Sequence, residues 1–593
     1  MSAGNSVNRE RASFMKFAML TLLSLGTVAF LIFAVSRTVE KEVFRGNPPV
    51  TPAWALKHMV WEDNGNSRDS AEALVDGYLS RHIPVGAIII DSPWSTAYND
   101  FEWDTARYHN PRQMIDDFHA RNVKVILWAT GFVNVSSVDA PVNPHPDYDL
   151  VKRRGYTVSN GRHFRWWKGT GAHIDFTNPA ARNWWHSRMD KVLDMGIDGW
   201  KVDQSASHIP DPVLTSIGYL SRDTFRKYYY ADFYDYTVSK NSSGVIMARG
   251  FSPSGTDLSD GLDVSPITKT PLVWNGDYTG SFSGLIEQMN DLYDSAGRGY
   301  GAPGVEIGGY DGAKPTKNSL IRYAQFAAMT PLMENGGRNG GLAEHLPWFW
   351  DTETVDIYRY FATLHNELGH YLFSLGVESS LHGGSIVRGA SKTQSHHRLG
   401  EQIFVSILTS DTTIKTIELP AGARWIDYWN EESNHAGDST FAYHAPLDRF
   451  PIFIKAGAII PLDVKNNVCG HGDDSSAGRI TVLVYPAGAS TFLFHRPTGE
   501  GTAYEDIEIG VQESTGTLTV KGATPANYIF RVKSFSAPAS VTGGTNWSYD
   551  NQTKTVIVNA TGADFVITIN GLMGYTSDTL PGTASREQTG VYQ

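Results

Sequence analysis

From residue 54 onward, short runs that are apolar at almost every position alternate with longer stretches whose apolar residues recur every three or four positions. The runs are HMVWED at 58–63, VGAIIIDSPW at 85–94, VKVILWAT at 123–130 and IDGWKVD at 197–203. GVIMARG at 244–250, PLVWNGD at 271–277, GVEIGGYDG at 304–312 and a last run within FAAMTPLMENGG at 326–337 follow. PRQMIDDFHARN and PAARNWWHSRMDKVLDMG, between runs, have helical spacing. Continuous apolar runs belong to strands covered on both faces, hence to a parallel sheet. Eight of them alternating with helices predict an α/β fold, a closed (β/α)8 TIM barrel over 53–373.

Polar residues interrupt the runs mainly at their ends: Glu62, Asp63, Asp91, Asp203, Arg249, Asp277 and Glu306. In such a barrel the strand C-termini and the loops after them form the functional face. The stretch GIDGWKVDQSAS at 196–207 places Asp198, Lys201 and Asp203 in one run, where an unpaired buried charge would cost several kcal/mol. Their expected position is the barrel mouth.

The pattern changes after 373. Short alternating runs broken by Gly, Pro and Asp predict two C-terminal all-β sandwich domains, a proximal one over 374–465 and a distal one over 466–570, with a disordered Ser/Thr/Gly-rich tail over 571–593. At the other end, Phe17–Ser36 runs without a charge, about the length that spans a bilayer. Arg9, Arg11 and Lys16 precede it, which predicts a cytoplasmic tail (1–16), an N-terminal transmembrane signal anchor (17–36), a linker (37–52) and a lumenal or extracellular body. The alternative is a secreted protein cleaved near AVS. Five Asn-x-Ser/Thr sequons (Asn134, Asn241, Asn546, Asn551, Asn559) suit a glycoprotein with a translocated body.

A net charge of −12 without a Lys/Arg cluster argues against nucleic acid. The single cysteine, Cys469, forms no intrachain disulfide and reads as a spectator. Aromatics make up 12% of the chain, a surplus that suits stacking on sugars. The SHH at 395–397 reads as a solvated loop, since no further ligands stand at metal-binding spacing, and no phosphate-cradling loop or Ser-His-Asp arrangement appears. Neither metal nor cofactor is expected.

Two carboxylates on different barrel strands, an Arg and a Lys between them and tryptophans alongside suit retaining glycoside hydrolysis. That reaction needs one carboxylate to attack the anomeric carbon and one carboxyl to protonate the leaving oxygen. Lys201 and Asp203 are two apart and share a strand face, so a cation there favours a charged Asp203, the better nucleophile. Asp277 follows Trp274-Asn275-Gly276, and an aromatic wall suits the proton donor. Spacing alone leaves a structural Asp–Lys pair open. Trp128, Trp166 and Trp167 are candidates for sugar stacking or for core packing, and His173 and Asp175 in GAHIDF for a place near the pocket.

Over roughly residues 54–500 the chain resembles glycoside hydrolase family 31, the retaining α-glycosidases. DGWKVD looks like that family's nucleophile strand, mapping the nucleophile to Asp203. WNGD looks like its Trp-x-Gly-Asp, mapping the acid/base to Asp277, and MARG supplies Arg249. IDSPW with NDFEWD is similar to the first substrate-binding loop, mapping Asp91 and Trp94. GVEIGGYDG matches Gly-x-Asp-Ile-Gly-Gly-Phe with Glu306 replacing Asp, and PLDRFPIFIKAGAIIPL resembles the C-terminal signature. The chain departs from the family in three places. Residues 37–52 stand where a β-sandwich usually precedes the barrel. Asn335 stands where a His usually follows the eighth strand, with His345 nearby as a substitute, which tilts specificity away from glucose. Ser205 replaces an acidic residue.

The resemblance implies an exo-acting α-glycosidase for terminal glucose, galactose or xylose on an oligosaccharide or glycoconjugate. Asp203 and Asp277 would be catalytic; Asp91, Trp94, Lys201, Arg249, Trp274, Glu306, Asn335 and His345 would bind substrate. An α-transglycosylase and a non-catalytic carbohydrate-binding relative are the alternatives.

Overall fold

The computed structural model describes residues 44–139, 142–204, 206–251, 265–337 and 342–576. Eight parallel strands form the barrel: β1 (Met59–Glu62), β2 (Ala87–Ile90), β3 (Lys124–Ala129), β4 (Gly199–Val202), β5 (Val245–Arg249), β6 (Leu272–Trp274), β7 (Gly304–Ile307) and β8 (Leu332–Asn335). Hydrogen bonding runs 6-5-4-3-2-1-8-7, and a parallel bridge between Val273 and Pro303 joins β6 to the start of β7 and closes the ring. The predicted eight-strand barrel is therefore present. Every residue of seven of the strands is buried, and in β3 only Lys124 is partly open. That is why the strands read as continuous apolar runs.

Helices α1 (Arg68–Leu79), α2 (Pro111–Ala120), α3 (Pro179–Leu193), α4 (Arg222–Lys240), α5 (Phe282–Gly297), α6 (Lys317–Ala328), α7 (Thr352–Glu367) and α8 (Gly369–His382) pack outside. Polar caps start most of them. Ser67, Asn178, Ser221, Ser281, Thr316 and Asp351 each accept a backbone N–H of the first turn of α1, α3, α4, α5, α6 and α7. Two insertions rise from strand C-termini. After β3 comes a three-stranded antiparallel sheet of Phe132–Ser137, Gly169–His173 and Phe164–Trp166; after β4 comes the hairpin Val213–Thr215/Gly218–Leu220.

Beyond α8 the chain is all-β. A six-stranded sheet from Val387–Ser391 to Ile452–Lys455, with the hairpin Ile414–Glu418/Thr440–His444, shares one continuous apolar core with the barrel. A distal sheet has its own core around Val482, Phe530 and Val558. It begins at Ile459–Leu462, paired with Ile480–Val484, and is dominated by the long strands Thr517–Lys533 and Thr555–Asn570.

Several expectations are corrected. Asp198 lies not at the mouth but just before β4, at the barrel's base. There its Oδ2 accepts from the Val125 N–H at 2.9 Å and bonds His119 Nε2 at 2.7 Å, and its Oδ1 is 3.3 Å from Lys124 Nζ. His396 and His397 stand on a strand (His396–Leu399), not in a solvated loop. His397 is buried against the barrel, with Nε2 donating to Met329 O at 2.8 Å and Nδ1 accepting from the Tyr293 hydroxyl at 3.0 Å. Residues 571–576 are not a loose tail: Tyr575 is buried and donates to Glu431 O. Sequon Asn134 is buried, with its side chain bonded to Trp166 Nε1 and Lys168 O. The segment 17–36 lies outside the described residues; among those described, no helix is long and apolar enough to cross a membrane.

Candidate active site

At the barrel's C-terminal mouth is a cavity of about 320 Å3 lined by Trp61, Asp91, Ser92, Trp128, Trp167, Lys168, Asp203, Arg249, Trp274, Asp277, Tyr310 and Asp311. Strands β1 to β7 each contribute from the C-terminal end or the loop that follows it, whereas β8 contributes no lining residue. Asp203 leaves β4 with its backbone N–H still bonded to Ala129 O of β3 and its carbonyl accepting from the Tyr229 hydroxyl of α4 at 2.8 Å. Its carboxylate is held from three sides: Gln204 N–H at 2.6 Å and Arg249 Nε at 3.1 Å on Oδ1, and Trp128 Nε1 at 3.1 Å on Oδ2. Arg249, the last residue of β5, reaches on to Asp277 Oδ1 with Nη2 at 3.4 Å. One guanidinium therefore bridges the two candidate carboxylates. Asp277 is the more open of the two, its side chain 20% exposed against 10% for Asp203.

Trp274 connects this pair to the barrel interior. Its ring has Arg249 at 4.0 Å and Lys201 at 4.3 Å, and its Nε1 donates to Glu306 Oε2 at 3.3 Å. Lys201 is fully buried below the cavity. Its Nζ lies 3.0 Å from the centre of the Trp61 ring and donates to Glu334 Oε1 at 2.6 Å, a bond that crosses the barrel from β4 to the opposite strand β8. The expected cation beside Asp203 is therefore Arg249, and Lys201 serves Glu334. Spacing gives the face of a strand but not the depth at which a four-carbon side chain ends.

Two further carboxyls feel the same ammonium. Burial pushes Glu306 well above the usual carboxylate range, opposed by Lys201 and reinforced by Glu334 and Asp277. Burial likewise raises Asp91, as does neighbouring Asp63, against Lys201 and the Ser92 N–H. Asp91 Oδ2 accepts from Trp61 Nε1 at 2.7 Å, and Trp61 stacks on Tyr310 at 4.8 Å, whose hydroxyl donates to Asp63 at 2.7 Å. Gly336 (φ +157°) holds this wall tight: a Cβ there would lie 2.3 Å from Trp61 O.

Of the ten residues singled out from the sequence, Asp91, Asp203, Arg249, Trp274 and Asp277 line the cavity. Lys201 and Glu306 lie buried behind the Trp61 and Trp274 rings. Trp94, Asn335 and His345 are outside the lining. The Trp94 indole is buried and donates to Trp128 O at 2.9 Å, holding that ring in place. Asn335 donates to the Tyr78 hydroxyl at 2.6 Å and to His345 O at 3.1 Å, and His345 Nδ1 sits on Ile307 O at 3.2 Å. Among the weaker candidates, Trp128 and the 36%-exposed Trp167 face the cavity, whereas Trp166 is buried. His173 sits among Phe132, Phe176 and Phe225, and Asp175 caps a turn through Thr177 and Ser216. Glu62 binds the N–H groups of Asn64, Gly65 and Asn66. Sequence reasoning missed Glu334, Trp61, Tyr310 and Lys168. The first three stood in quoted runs, and a carboxylate inside a strand run was the available signal for Glu334.

A parallel barrel whose mouth presents two carboxylates on one guanidinium, walled by tryptophans, is the frame of a glycoside hydrolase. Residues 48–375 match the glycosyl hydrolases family 31 TIM-barrel domain and residues 389–460 the family's C-terminal domain; the chain belongs to glycosyl hydrolase family 31. An isomaltosyltransferase of Sporosarcina globispora is 25% identical over 573 residues, covering 87% of this chain and 51% of that protein. An alpha-xylosidase of Emericella nidulans is 24% identical over 473 residues, covering 73% and 57%. The chain thus spans little more than half the length of these relatives. Among solved structures, a Flavobacterium johnsoniae family 31 dextranase complexed with glucose superimposes with a TM-score of 0.76 at 20% identity, covering 88% of this chain and 71% of that one. The cycloalternan-forming enzyme from Listeria monocytogenes gives 0.77 at 20% identity, covering 90% and 55%.

Proposed function

We propose that this protein is a retaining, exo-acting α-glycosidase that removes terminal α-linked sugars through a covalent glycosyl-enzyme. The observation that carries the reading is the Arg249 bridge between Asp203 and Asp277 at the base of an aromatic-walled cavity. Asp203, oriented by three donors, attacks the anomeric carbon. Asp277, closer to solvent, gives its proton to the leaving oxygen and then takes one from the water that releases the sugar. Trp61, Trp128 and Trp274 supply apolar walls, and Asp91 offers an acceptor to a sugar hydroxyl. Hydrolysis of p-nitrophenyl α-glucoside, α-galactoside and α-xyloside by the purified chain, with Asp203→Ala as control, tests the reading. Turnover of one substrate that vanishes in the variant supports it, and no turnover by folded protein refutes it.

A second reading, transfer of the sugar to another sugar's hydroxyl, draws on the exposed Trp167 at the cavity wall, placed to stack an acceptor, and on the names of two relatives. Chromatography of products formed with excess maltose separates the two. For localisation, the charge-free run Phe17–Ser36 supports a single-pass anchor with the catalytic body across the membrane. Protease protection of the C-terminal body in sealed vesicles tests it.

A further inference from the structure

A second cavity, of about 250 Å3, lies between the two C-terminal β-domains and shares no lining residue with the barrel mouth. The distal sheet forms one side. Arg531 and Lys533, two apart on the strand Thr517–Lys533, point the same way. The proximal domain forms the other side with Tyr428, Trp429 and Glu431. Lys533 is neutralised in place: its Nζ pairs with the Glu431 carboxylate and donates to Thr553 O and Thr555 Oγ1, both at 3.0 Å. The Tyr485 hydroxyl donates to the other Glu431 oxygen at 2.7 Å.

Arg531 is different. Among the described residues its guanidinium has no hydrogen-bond or ion-pair partner; Glu431, Tyr485, Asp550 and Asp473 favour its charge only from a distance, while burial opposes it. The Arg531 side chain is partly buried in the cleft wall, so its guanidinium gives up part of its hydration with no bond in return, and a carboxylate matches its planar fork with two parallel bonds. Beside it stand the Trp429 ring and, edge-on to that ring at 5.1 Å, Tyr428. An aromatic face next to hydrogen-bonding groups of both kinds suits a ring that is apolar on one side and hydroxylated at its rim. The volume falls below the ~300 Å3 at which drug-sized sites begin, so it admits one small ring. A hollow of about 380 Å3 shares Trp429, Glu431, Lys533 and Thr553 with it and leaves room for a neighbouring unit.

We propose that this interdomain cleft binds a carboxylate-bearing sugar, a uronic acid unit, with Arg531 clamping the carboxylate and Trp429 carrying the apolar face of the ring. The site lies apart from the catalytic cavity and tethers an acidic saccharide to the enzyme without processing it.

The test is calorimetric titration of the purified full chain with D-glucuronate, D-glucose and acetate. Glucuronate should bind at least tenfold more tightly than either of the others. Arg531→Gln should lose at least tenfold of that affinity while glycosidase turnover stays unchanged, and Asp203→Asn should keep it. Arg531→Lys, which retains the charge but not the fork, should fall between and guards against a folding defect in the glutamine variant. Absence of glucuronate binding, or binding that survives Arg531→Gln, overturns the proposal. Acetate binding as tightly as glucuronate overturns the saccharide assignment, and loss of binding in Asp203→Asn would place the ligand in the barrel instead.

Discussion

Asp203 and Asp277 share Arg249 but differ in surroundings, and their variants should differ accordingly. Asp203→Ala should lower kcat/KM by at least about a thousandfold, ~4 kcal/mol of transition-state stabilisation, with no burst of product. Asp277→Asn should still release a first equivalent of p-nitrophenol rapidly, because that leaving group needs no proton, while hydrolysis of a disaccharide collapses. Stopped-flow absorbance separates the two, and equal loss of burst in both variants would contradict the assignment. These carboxylates were legible in the sequence because each closes an apolar run. The partner of Lys201 was not. Its nearest acid in the chain is Asp203, but the ammonium bonds Glu334, 133 residues away.

At the scale of elements, a barrel strand can carry chemistry at one end and anchoring at the other. β4 shows both. Asp203 at its C-terminal end faces the cavity, whereas Asp198 at its base ties the strand to Val125, His119 and Lys124. Asp198→Ala would strand the Val125 N–H and should cost about 1–3 kcal/mol of stability in denaturant unfolding while leaving kcat nearly unchanged. The Lys201–Glu334 bridge links β4 to β8 through the barrel's centre with both side chains fully buried. Glu334→Gln should destabilise by about 3–5 kcal/mol, and Lys201→Met/Glu334→Leu should recover much of the loss, since removing a buried pair is cheaper than breaking it. Thermal melts of the two variants provide the comparison.

At the scale of the whole molecule, the barrel and proximal β-domain share one apolar core, and His397 sits at their junction. Burial lowers its pKa from 6.5 to about 4. The unfolded chain therefore takes up this proton first, so the contribution of neutral His397 is present above pH 6.5 and is lost as pH falls from 6.5 toward 4. Between pH 7 and 5 it should lose about 2 kcal/mol. The stability gap between wild type and His397→Gln, measured by urea unfolding, should narrow by that amount, and a constant gap would show that the histidine charges freely in the fold.

The sequence by itself determined the barrel, its eight strands, the all-β character of the C-terminal part and the strand ends that carry chemistry. These follow from local periodicity, because a strand covered on both faces is apolar at most positions and holds charge at its end or, inside the barrel, only where a partner such as Glu334 for Lys201 meets it. Tertiary structure alone decided which charges meet. Closing the barrel set β4 opposite β8, joining Lys201 to Glu334, and sent Asp198 to the base. It aimed Arg249 at both Asp203 and Asp277, and it turned the SHH segment into a buried junction. The cleft around Arg531 likewise arises only where two separately patterned domains pack. Depth and cross-chain proximity depend on how distant segments close on one another, and no local period encodes that.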